Sequence, residues 1–82
     1  LEVAITYLNI ASLKEAEFGI EKSSEVIDGY LKKAMKLLDE HDTKDGYYAF
    51  VCEKCASVFN YYGYFVYYQE LLERAQRIYE RS

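Results

Sequence analysis

Residues 47–75 read YYAFVCEKCASVFNYYGYFVYYQELLERA, and the fold class of the chain follows from how this stretch divides. Phe50, Val51, Cys55, Ala56, Val58 and Phe59 recur at three- and four-residue spacings up to Tyr62, the repeat of an α-helix with an inward face. Gly63 ends that pattern, because glycine alone enters a tight helix-ending turn without steric cost. Beyond it Phe65, Tyr68, Leu72, Ala75 and Tyr79 fall at i, i+3, i+7, i+10 and i+14. Gln69, Glu70, Glu73, Gln76, Arg77 and Glu80 line the opposite side. The reading is a helix over 47–62, a turn, and an amphipathic helix that closes the chain, with 65, 68, 72, 75 and 79 facing inward.

Working towards the start, Asp42 to Gly46 is a polar, turn-forming segment. Before it, Val26, Ile27, Leu31, Ala34, Met35, Leu37 and Leu38 continue a 3.6-residue pattern to about His41. Ser23 and Ser24 offer N-cap oxygens for that helix, and Glu25 and Asp28 favour its positive end. Phe18-Gly19 interrupts, and from Leu1 to about Glu17 apolar residues cover more than one face of a further helix. The halves superpose: Tyr7 to Ala11 matches Cys52 to Ala56, Gly19 matches Gly63, and Leu31 and Ala34 match Leu72 and Ala75. The period is 41 to 45 residues, that of a helical-hairpin repeat. The expected architecture is all-α, four helices in two repeats, 1–42 and 43–82, the second closing a longer array.

Composition narrows the function classes. A chain of 82 residues is one small domain with a thin core, poorly suited to a deep catalytic cleft. Ten Lys and Arg against fourteen Asp and Glu give a net charge of −4, which repels phosphate backbones. Lys54 is the only base between Tyr47 and Arg74, so the aromatic-rich segment lacks the basic interleaving of a single-strand binder. Nucleic acid is therefore not expected as a partner. Nor is a membrane, since no apolar run reaches the ~18–20 residues of a span. Two cysteines are too few for a disulfide framework, and a cytoplasmic setting is expected.

The repeat resembles the tetratricopeptide repeat, whose first helix carries large, aliphatic and small marker residues, whose turn carries a Gly, and whose second helix carries a small Ala. In the second half Cys55, Ala56, Phe59, Gly63, Phe65, Tyr68, Leu72 and Ala75 follow the pattern, with Cys52 in place of the usual Trp, Tyr or Leu. In the first half Tyr7, Ile10, Ala11, Leu31 and Ala34 fit, while Lys14 stands at the usual aromatic position and the hairpin is longer. The closest likeness is to longer-period bacterial members. The resemblance implies a non-catalytic scaffold whose first helices line a concave face for a peptide or partner helix. On that face it places Ile5, Leu8, Asn9, Ser12 and Glu15, then Phe50, Glu53, Lys54, Ser57, Asn60 and Tyr61. No cofactor is implied.

Two motifs invite chemistry. Cys52-Glu53-Lys54-Cys55 has the spacing of a zinc or redox pair, yet His41 is the only His and no second Cys pair exists, so packing is expected. The segment from His41 to Gly46 has a calcium-loop outline but too few carboxylates at the ligand positions. His41 is expected beside a helix C-terminus. Between Tyr47 and Tyr68 ten of 22 residues are aromatic, more than a thin core can bury, and suited to a partner surface. Alternative roles are a capping or homodimerising segment and a peptide-sensing module of a larger protein. The apolar first helix, through Leu1, Ile5, Leu8, Ile10 and Leu13, is the expected dimer surface, with Leu8→Glu dispersing the dimer.

Overall fold

The computed structural model describes residues 1–81, and every regular element among them is helical. The elements are α1 (Glu2–Glu40), α2 (Gly46–Tyr61) and α3 (Phe65–Arg81). The chain divides into two compact units, Leu1–Glu40 and His41–Ser82.

In the first unit, the expected pair of helices forms a single element broken at one residue. Gly19 lies at φ 81°, ψ 159°, a region that side chains with a Cβ avoid. A straight helix would hold Tyr7 and Tyr30 roughly 34 Å apart at about 1.5 Å per residue. Their ring centroids are 5.7 Å apart, so the helix doubles back on itself. The Lys33 ammonium lies 5.8 Å from the Tyr7 ring and 5.6 Å from that of Tyr30. Ala4, Leu8 and Ala11 on the first arm are buried, as are Ile27, Leu31, Ala34, Met35 and Leu38 on the second. Both sets follow the i, i+4, i+7 spacing of one helix face.

The serine caps expected for the second arm are not formed. The helix resumes directly after Gly19, so Ser23 and Ser24 lie within it. Ser23 is buried, and its hydroxyl donates to the Gly19 carbonyl at 2.5 Å. Ser24 donates to the Glu21 carbonyl at 3.2 Å. Backbone carbonyls one turn earlier thus use the oxygens that would have capped a helix. The single glycine makes the reversal without a linker. Asp28 and Lys32, one turn apart on the second arm, form an ion pair at 3.0 Å.

The second unit is a hairpin of α2 and α3 with both ends of its first helix specified by local chemistry. Asp45 is the N-cap, its carboxylate accepting from the Tyr48 amide at 3.0 Å. A cap of this kind is worth about 1 kcal/mol. At the other end, the Gly63 amide donates to the Asn60 carbonyl at 3.1 Å and the Tyr64 amide to the Phe59 carbonyl at 2.8 Å. With Gly63 at φ 86°, this is the paired-bond helix stop that requires a left-handed residue. The apolar contact that accompanies such a stop is present, Phe59 and Tyr64 meeting edge to face at 6.2 Å.

Phe59 also meets Tyr67 edge to face at 5.5 Å, and this fixes the roll of α3. The buried positions of α3 are Leu71, Ala75 and Ile78, with Tyr64, Tyr67 and Tyr68 half-buried. The expected inward stripe through Phe65, Leu72 and Tyr79 is therefore one residue out of register. Phe65 is 62% exposed and Tyr79 47% exposed, and Leu72 is only half-buried. The α2 core is Tyr48, Ala49, Val51, Cys52, Cys55, Ala56 and Phe59. Each large apolar side chain removed from water there contributes roughly 1.5–3 kcal/mol.

Candidate functional site

The outer face of α2 is set by what its inner face must bury. Once positions 48, 52, 55 and 59 point to α3, residues 47, 50, 54, 57 and 61, at i, i+3, i+7, i+10 and i+14, share a stripe on the solvent side. Tyr47 is 52% exposed, Phe50 48% and Tyr61 68%, and Lys54, Ser57 and Asn60 are exposed between them. The Lys54 ammonium sits 5.1 Å from the Phe50 ring centre, a cation–π contact of about 0.5–1 kcal/mol at an open site. Ser57 donates to the Lys54 carbonyl at 2.9 Å. Tyr61 meets Tyr62 edge to face at 4.9 Å. Three aromatic rings, a base and two neutral polar groups thus line one face of a helix that is anchored from behind.

Glu53 lies at the border of this stripe. Its carboxylate accepts the Tyr79 hydroxyl at 2.6 Å, which turns it towards α3. That hydrogen bond, more than burial, raises the Tyr79 pKa above its ordinary value.

The first-unit candidates are placed less uniformly. Asn9 and Ser12 are exposed, Ile5 and Glu15 are half-buried, and Leu8 is 3% exposed. Leu8 therefore leaves both the candidate face and the expected dimer surface. It lies in line with Ala4 and Ala11 in the buried seam of its unit. Val3 and Leu13, each 55% exposed, and half-buried Ile10 form the outward apolar side of that arm.

The cysteine pair occupies packed positions. Cys52 and Cys55 are both free and buried. Burial pushes the Cys55 thiol up to about 12, and the charge of its neighbour Cys52 acts in the same direction. Burial also raises Cys52, against the opposing effects of a hydrogen bond with Tyr48 and the nearby Arg74 charge. Thiols held protonated are poor nucleophiles and poor ligands.

Tyr48 collects the polar groups of the hairpin. Its hydroxyl accepts from Arg74 Nη1 at 3.2 Å, and Arg74 Nε donates to Glu70 at 2.8 Å. Burial raises the Tyr48 pKa, with the Arg74 hydrogen bond working against it. The His41 ring, on the residue that follows the last residue of α1, stacks on the Tyr48 ring at 5.7 Å and 5°. The Lys44 ammonium lies 4.9 Å from the same ring centre and donates to the His41 carbonyl. With Asp45 committed to its cap, the 41–46 segment is organised around Tyr48 and the start of α2.

Tyr47 belongs to the aromatic cluster read from the sequence but not to the concave face that the resemblance implies. Its position three residues before Phe50 is the signal that identifies it. Among the described residues no helix is long and apolar enough to cross a membrane. Comparison with known protein families, curated proteins and solved structures gives no match to this chain.

Proposed function

We infer that the chain is a non-catalytic helical-repeat segment of the tetratricopeptide type, holding a peptide or helix of a partner protein on the outer face of α2. The observation that carries the reading is the exposure of Tyr47, Phe50 and Tyr61 on one stripe with Lys54, Ser57 and Asn60 between them. Rigid rings with little side-chain entropy to lose, interspersed with hydrogen-bonding groups, are the composition of binding hot spots. The stripe lies on a helix whose core is complete without it, so its rings are available to a partner at no cost in folding. Asn9 and Ser12 are the corresponding polar positions of the first unit. A display selection of random peptides against the whole chain tests the reading. Selected peptides should lose affinity for Phe50→Ala and Tyr61→Ala, while Glu73→Lys on α3 binds as before.

A second reading, self-association through the first unit, is favoured by Val3 and Leu13, two large apolar side chains more than half exposed on one arm. Under it, Leu13→Glu abolishes a dimer in sedimentation at several concentrations while the helical content is kept. A monomer at every concentration removes this reading.

A further inference from the structure

On the side of the second unit where Glu53 accepts the Tyr79 hydroxyl, an open groove of ≈ 500 Å³ runs between α2 and α3. Its lining is Glu53 from α2 and Leu72, Ala75, Gln76, Tyr79 and Glu80 from α3. The geometry points to this groove as the seat of an arginine side chain of the partner peptide. The assignment rests on the peptide-holding reading above and specifies the residue that anchors the peptide.

Each wall matches one part of that side chain. Leu72 and Ala75 give an aliphatic floor for a three-carbon stem. Tyr79, 47% exposed, brings an aromatic ring to the lining for a planar cation to pack on, and the bond from its hydroxyl to Glu53 holds the ring in place. Glu53 and Glu80 supply the charge. Their hydrogen bonds come from neutral donors, the Tyr79 hydroxyl at 2.6 Å and Gln76 Nε2 at 3.1 Å. Among the described residues neither carboxylate is in a salt bridge, in contrast to Glu70, which Arg74 and Arg77 approach at 2.8 and 3.9 Å. A chain with a net charge of −4 adds a long-range attraction of the same sign. Phosphate or carboxylate groups would be repelled here. The planar guanidinium suits the ring and both carboxylates better than the compact ammonium of lysine. Glu53 also borders the α2 stripe, one residue from Lys54 and three from Phe50, so a peptide on that face can reach the groove.

The test uses the whole chain and two small probes, N-acetyl-argininamide and its uncharged isostere N-acetyl-citrullinamide, followed by amide NMR shifts. Argininamide should shift residues around Glu53, Tyr79 and Glu80, with citrullinamide about tenfold weaker or worse, the loss of one charge-assisted contact. Glu53→Gln and Glu80→Gln, both at exposed positions and checked for an unchanged spectrum elsewhere, should weaken the argininamide response to a similar extent. Equal responses to the two probes, or shifts scattered over the chain, would overturn the assignment. Failure of the parent reading looks different. A library that yields no binder, with an intact argininamide response, sinks peptide holding and leaves the groove a guanidinium site without a peptide. Selected peptides that need Phe50 but tolerate arginine-to-citrulline exchange sink the groove and keep peptide holding.

Discussion

The Cys55 thiol gives the hairpin a stability that disappears in alkali. It is 2% exposed, and its pKa rises from an ordinary 9.0 to about 12 in the folded chain. The unfolded chain therefore gives up this proton first. The stabilisation of the protonated thiol is complete below about pH 9 and is lost progressively as pH rises towards about 12. Three pKa units correspond to on the order of 4 kcal/mol across that window, and most of it has gone by about pH 11. Replacing Cys55 with alanine removes the titrating group and leaves a small void, which costs roughly 1 kcal/mol near neutral pH. Urea unfolding followed by far-ultraviolet circular dichroism, at steps from about pH 8 to about pH 11, compares the two proteins. The parent chain should be the more stable at the low end, and Cys55→Ala should overtake it before the high end. Tyrosine and lysine titrations elsewhere affect both proteins alike and cancel in the difference. Parallel stability profiles would refute the reasoning, because they would mean that the thiol ionises equally well folded and unfolded.

Two further outcomes follow from the packing. Gly63→Ala, at φ 86° with open space around a new Cβ, should cost about 1–2 kcal/mol from backbone strain alone, read as a lowered urea midpoint. Ala56→Leu and Ala75→Leu add volume at positions 0% and 2% exposed and should each cost about 1–3 kcal/mol. An unchanged melting temperature in both would show that these alanines are not in close contact.

Much of this fold was legible in the sequence where a local rule acts alone. The bounds of α2 and α3 follow to within about a residue from the polar Asp42–Gly46 segment, Gly63 and a 3.6-residue pattern, each of which has a backbone consequence independent of the rest of the chain. The roll of α3 was not legible, because two apolar stripes lie one residue apart. Positions 64, 67, 71, 75 and 78 and positions 65, 68, 72, 75 and 79 are both apolar enough to face inward. What chooses between them is the Phe59 ring, which packs edge to face with Tyr64 and Tyr67, a contact that periodicity does not encode. Ser23 illustrates the same limit: a serine before an apolar run can cap a helix or return its hydroxyl to the preceding turn, and Gly19 decides in favour of the second. For the candidate face, Phe50, Lys54, Ser57, Asn60 and Tyr61 lie outward as the helix period requires. Leu8 does not, since on an arm that is apolar on several sides the buried seam is selected by tertiary packing.

The most direct measurement of the central claim is the separation of affinity from stability in the double variant Phe50→Ala/Tyr61→Ala. With both rings about half exposed or more, their removal should lower the unfolding free energy by only about 1 kcal/mol, chiefly the lost contact between Lys54 and the Phe50 ring. Their loss from a binding hot spot should weaken a selected peptide by about 2 kcal/mol or more, close to thirtyfold, in fluorescence anisotropy. A variant that keeps full affinity, or that loses affinity only in step with lost stability, would contradict the assignment of the α2 outer face as the surface that holds the partner.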